Sequence, residues 1–135
     1  MAPKRFSRQE ADDLLPYLAP VLFQMRKLKR RHDELRAQLA EVSGKSRSNG
    51  HGVDHDAAQA RREMEAAAAQ ISGLMEKVQG MDVELKDIDT GLVDFRTLRE
   101  GREVYLCWKL GEENVSHWHD LDTGFAGRQP LGEDE

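Results

Sequence analysis

"LAPVLFQMRKLKRRHDELRAQLAEV", residues 18–42, decides the fold. Leu18, Val21, Met25, Leu28, His32, Leu35, Leu39 and Val42 recur in alternating steps of three and four, the spacing that puts side chains on one helical face. A second run matches it: Ala57, Ala60, Met64, Ala67, Ile71, Leu74, Val78 and Met81 repeat the same steps. Folding the chain back between them pairs the seams one to one, Val42 with Ala57 at one end and Leu18 with Met81 at the other. Small alanines then oppose larger side chains, as shallow antiparallel packing requires. The reading is a coiled-coil-like antiparallel helical hairpin over 7–82, turned by the Gly/Ser-rich connector "SGKSRSNGHGVDH" at 43–55.

Upstream, Ser7 with Glu10 three residues on is a capping box, and Phe6 precedes it. Pro16 and Pro20 follow, and an interior proline costs about 3 kcal/mol of helix stability. The expectation is a short helix over 7–15, a break, and a long helix from Pro16 to Val42. Leu14, Leu15, Leu22 and Phe23 widen the apolar stripe at this end, so it packs against more than one element. Asp56, with Gln59 three residues later, is the expected cap of the second helix.

From Val83 the period changes to two. "VELKD" at 83–87, "GLVDF" at 91–95 and "REVYLCWKL" at 102–110 read as strands, with "IDTG" as a turn and "RTLREG" as a hairpin connection. Val104, Leu106, Trp108 and Leu110 face one way, and Tyr105, Cys107 and Lys109 the other. "VSHWHDL" is a last strand or a helical turn, and the glycine-punctuated tail wraps over the sheet and frays over 131–135. The class is α+β: a long helical hairpin followed by a small antiparallel β-sheet over 83–130, one domain over 1–135, with the widened end of the first helix covering the sheet.

Composition excludes several functions. The net charge of −5, from 20 Lys+Arg against 25 Asp+Glu, lacks the broad positive field that nonspecific nucleic-acid binding needs. The one basic run, "RKLKRRHDELR" at 26–36, faces Glu63, Glu65 and Glu76 and reads as a solvated, ion-paired surface. A single cysteine permits no internal disulfide, and neither a signal peptide nor a membrane span is apparent, which points to a cytoplasmic protein.

The order "FSRQEA", "LLP", "VELKD", "GLVDF", "VYLCWKLGE" and "WHDLDTGFAGRQP" resembles the domain of unknown function 2203 family, uncharacterised bacterial and archaeal proteins. The resemblance covers nearly the whole chain outside 43–55. It singles out Glu84, Lys86, Asp87, Asp94, Cys107, Trp108, Glu112, Trp118, His119, Gly127 and Arg128, leaves His117 outside the pattern, and implies no activity.

Two site readings stay open. His117 and His119, two apart on a strand, present both rings to one side and with Asp94 or Asp120 would form a divalent-metal site. Glu84, Lys86 and Asp94 with His119 would make an acid/base cluster, and Arg128 an anion contact. The same residues fit a structural clasp. In that reading Trp118 packs on the sheet or first helix, His119 bonds Asp94 or Glu84, and Arg128 pairs with Glu84, Asp94 or another acidic side chain of the sheet, offsetting the tail's ordering entropy. Cys107 reads as a buried inert thiol, and His32 as a seam histidine accommodated opposite Ala67 or a buried pH switch. An extended hairpin and a tiny sheet leave little room for a deep pocket, and stripe residues remain over. The functional expectation is therefore a noncatalytic interaction or assembly module that forms a homodimer and needs no cofactor. The alternative is a metal- or ligand-binding protein or enzyme centred on His119, Asp94 and Arg128.

Overall fold

The computed structural model describes residues 4–45 and 51–133, with side chains described over 4–41 and 55–133. Two helices, α1 (Arg8–Lys45) and α2 (His51–Gly80), pack together as an antiparallel hairpin. Five strands follow: β1 (Glu84–Asp87), β2 (Leu92–Arg99), β3 (Arg102–Lys109), β4 (His117–His119) and β5 (Gln129–Pro130). They form one antiparallel meander in chain order, so the expected α+β architecture is the observed one.

The capping box starts α1 as its sequence implies. Ser7 N–H donates to Glu10 Oε1 at 3.0 Å, and Glu10 N–H donates to Ser7 Oγ at 3.1 Å. Phe6 before the cap is buried edge-on against Phe95, ring centroids 5.2 Å apart. The expected break at the prolines does not occur: α1 runs through Pro16 and Pro20 without interruption. Both prolines are exposed, on the side of the helix away from the core. The opposite face, Ala11, Leu15, Leu18, Leu22 and Met25, is buried, and that tertiary packing offsets the prolines' cost.

That face and the sheet make the core. Val93 and Phe95 of β2, Val104, Leu106 and Trp108 of β3, and Trp118 of β4 pack with it, along with Val78 and Val83. The stripe's widening is thus used by the sheet, and Leu15 and Leu22 are not left over; Phe23 (49% exposed) and Tyr17 (70%) are. Farther along, Leu35 is buried opposite an alanine-lined α2, where Ala57, Ala60 and Ala67 are buried, while His32, Leu39 and Met64 are half-buried. The basic run is ion-paired: Arg31 to Glu63 at 2.9 Å across the hairpin, and Lys29 to Asp33 and Asp89 at 3.0 Å.

Three connections are tighter than the sequence pattern suggests. The helices extend into the 43–55 connector, so Asp56 and Gln59 lie inside α2 instead of capping it, and residues 46–50 lie outside the described residues. Gly52 within a helix costs only about 1 kcal/mol relative to alanine, too little to end it. The "RTLREG" hairpin connection shrinks to two residues, Glu100 and Gly101, both at positive φ (54° and 77°), the turn whose twist matches its strands. The tail adds a short edge strand, with Leu131 N–H on Ser116 O at 2.8 Å and Arg8 Nη1 on Gly132 O at 3.2 Å, which tethers residues 131 and 132.

Gly91 ends the "IDTG" turn, where Asp87 Oδ2 accepts from Thr90 N–H at 3.1 Å and from Thr90 Oγ1 at 2.6 Å. Its φ is +64°, and a Cβ there would sit 2.6 Å from Leu110 Cβ. Gly73, mid-α2, has nothing within 4 Å of an added Cβ. In thermal melts Gly91→Ala is expected to destabilise by more than 1 kcal/mol through backbone strain and overlap, while Gly73→Ala stabilises by about 0.5–1 kcal/mol.

Candidate functional site

The sheet has a second face, and strand alternation decides what stands on it. With a two-residue turn at 100–101, Asp94 lies opposite Cys107 and Arg96 opposite Tyr105. The next pairing sets Tyr105 opposite His119 and Cys107 opposite His117, and β1 sets Glu84 opposite Asp94. All therefore point away from α1, and the tail from Asp120 to Arg128 returns beside this face. Asp94 and His119 are each 2% exposed and Cys107 0%.

At the centre, His119 bridges two strands. Its Nε2 lies 3.0 Å from both carboxylate oxygens of Asp94, and its Nδ1 lies 2.7 Å from the backbone oxygen of Asp120. A carbonyl oxygen only accepts, so Nδ1 carries a proton and donates. Burial holds the Asp94 carboxyl above the ordinary carboxylate range, with His119 pulling the other way. Burial and the neighbouring Asp94 push the Cys107 thiol up to about 12, so no reactive thiolate exists at neutral pH. Asp94, Cys107 and His119 bring one ligand atom each to within 4.8 Å of one another.

Around this centre the remaining residues brace the cover. Glu84 accepts from Tyr105 Oη at 2.9 Å, Lys86 Nζ at 3.2 Å and Arg96 Nε at 3.1 Å. Burial works to raise its carboxyl, but these hydrogen bonds and the Lys86 and Arg96 charges outweigh it and hold it below the usual range. Lys86 and Arg96 also lie over the Tyr105 ring, 4.8 and 5.4 Å from its centroid. Glu112 is a knot: its backbone oxygen accepts from Trp108 Nε1 at 3.0 Å, its Oε1 from Lys109 N–H at 2.9 Å, and both oxygens from Arg128 Nη2 at 3.0 and 2.9 Å. Arg128 in turn lies 4.9 Å over Phe125. Trp118 is on the opposite, core-facing side, with Arg99 4.3 Å over its ring.

The sequence-derived candidates thus separate. Asp94 and His119 meet; Glu84 and Lys86 pair with each other beside Tyr105; Arg128 meets Glu112, not Asp94 or Glu84. His117 and Asp120, the metal alternative, stand apart from the central group: His117 Nδ1 is 3.0 Å from Ser116 Oγ and 3.9 Å from Glu112, and Asp120 is bonded by Arg102. Tyr105 and the juxtaposition of Cys107 with Asp94 are additions from the structure. The signal that finds them is the short Glu100–Gly101 turn, which fixes the register.

What these residues define is an α+β protein whose sheet carries a dry polar centre locked under its own C-terminal tail. The chain belongs to the family described as an uncharacterized conserved protein (DUF2203), whose model matches residues 4–131. No curated protein and no solved structure matches it.

His119→Ala would leave a buried carboxylate without its partner, a loss of about 3–5 kcal/mol. It should therefore lower the melting temperature more than Arg128→Ala, whose partner Glu112 is partly exposed and can be rehydrated. Asp94→Asn and His119→Gln should combine far less than additively in a double-mutant cycle of denaturant melts.

Proposed function

We propose that this protein is a noncatalytic assembly module that pairs with a second copy of itself in a reducing, cytoplasmic setting. The observation that carries the reading is the hairpin arm. Lys29 ties α1 to the sheet region through Asp89, and α1 continues for 16 further residues to Lys45, roughly 24 Å of helix. In that arm two helices alone bury one stripe each. Among the described residues only Leu35, Ala57, Ala60 and Ala67 are fully buried there, and Leu39 and Met64 stay half-open. Helical stability in proteins comes mainly from tertiary packing, and a two-helix arm supplies little of it.

A groove of about 480 Å³ runs along the arm, floored by Leu35, Leu39, Ala57 and Ala60 and rimmed by Arg31, Glu41, Asp56 and Glu63. Its apolar floor and mixed-charge rim suit the equivalent arm of a second chain, antiparallel across a two-fold axis, which would complete a four-helix bundle. A substrate site around His119, Asp94 and Arg128 is disfavoured by burial, since Asp94 and His119 are each only 2% exposed. Among the described residues no helix is long and apolar enough to cross a membrane.

Light scattering at micromolar concentration should return twice the chain mass of 15.3 kDa. Leu39→Glu should shift it to the single-chain mass while far-ultraviolet dichroism remains helical. A single-chain mass for the wild type would contradict the proposal.

A further inference from the structure

The centre of the sheet's polar face poses a chemical problem. His119 Nδ1 donates to the Asp120 carbonyl, so in the neutral ring Nε2 is an acceptor. It faces two carboxylate oxygens at 3.0 Å, which also accept. Acceptors do not sit at that distance in a dry site unless a cation lies between them. A proton can serve. The third neighbour argues for more than a proton: the Cys107 sulfur lies within 4.8 Å of a His119 ring nitrogen and an Asp94 carboxylate oxygen, fully buried, on the strand between β2 and β4.

From this geometry we infer that Asp94 Oδ, Cys107 Sγ and His119 Nε2 form a three-donor binding site for a zinc-like divalent cation, whose fourth position a water would take. Mixed O, S and N donors are the set such an ion takes. Bond lengths of 2.0–2.3 Å in a tetrahedron place donor atoms about 3.3–3.6 Å apart, so the pair at 3.0 Å need only open slightly while the sulfur draws in. The His119 Nδ1–H bond to a backbone carbonyl is the second contact that usually orients a metal-bound imidazole and leaves Nε2 as ligand. On binding, the thiol proton and the proton shared by Asp94 and His119 go to solvent. The thiolate and carboxylate then neutralise the ion's two charges, which removes the objection to burying them. The ion reaches its seat when the tail over 120–126, mostly exposed and tethered by Arg128, lifts away. His117, whose Nδ1 lies beside Ser116 and Glu112, is not a ligand.

Cobalt(II) is the probe, added to the chelator-stripped full chain. The chain holds one cysteine, so a thiolate-to-cobalt charge-transfer band reports Cys107 alone. The expected result is such a band, saturating at one cobalt per chain, displaced by zinc, unchanged in His117→Ala and absent in Cys107→Ser. Asp94→Asn and His119→Gln should weaken binding on the order of tenfold or more. No thiolate band at saturating cobalt overturns the inference and leaves a shared proton as the cation. A band lost in His117→Ala but kept in Asp94→Asn and His119→Gln overturns this ligand set. The wild-type and His117→Ala titrations decide even if a buried variant fails to fold.

Discussion

The structure depends on one buried contact being kept paired. Asp94 on β2 and His119 on β4 reach across β3 to each other, and each of their polar side-chain atoms is used within that contact or on the Asp120 backbone. A carboxylate buried away from water is tolerable only while it stays paired, here with the imidazole through the cation between them. From that follows most of what surrounds it. Tyr105 closes one side, held by Glu84, Lys86 and Arg96, and the tail is tied by Arg128 to Glu112. Gln129 and Pro130 then pair as an edge strand on β4. A glycine-punctuated segment with no ladder of its own is ordered because its two ends are fixed, at His119 and at Arg128 to Leu131.

The two faces of the sheet divide the labour. One face makes an ordinary apolar core with α1, anchored by the Ser7–Glu10 box and by Asp12 Oδ1, which accepts from Val115 N–H at 2.7 Å. The other face spends its interior on charge. Strand β3 carries both in alternation, with Val104, Leu106 and Trp108 inward and Tyr105 and Cys107 outward. The helical arm lies beyond both, stabilised along its flanks by exposed ion pairs that contribute little individually. That contrast between a tightly determined sheet end and a sparsely packed arm is what motivates assigning assembly to the arm.

Much of this was legible in the sequence, because periodicity is a property of the chain itself. The matched seams, the capping box and the alternation of β3 translate directly into the hairpin, the start of α1 and the two-faced sheet. Features set by environment were not legible. Pro16 and Pro20 look like breakers, but whether tertiary packing offsets their cost is something only the fold decides. The strength of β5 as an edge depends on Ser116 being there to accept from Leu131. For the site, the residue types around His119 and Asp94 were visible, while their grouping was not. A two-residue spacing makes His117 and His119 look like a pair, yet on the sheet the neighbours of His119 are Asp94 and Cys107, brought in from other strands. Long-range register is the information that a local motif lacks.

The central claim is that His119 is fixed with Nδ1–H on the Asp120 carbonyl and Nε2 toward Asp94. Long-range proton–nitrogen NMR of the imidazole rings tests it most directly. The account predicts a His119 Nδ1 that carries a proton protected from solvent exchange, with Nε2 shifted by the cation it faces. An unprotonated Nδ1, or a His119 ring proton exchanging as fast as that of exposed His55, would contradict it.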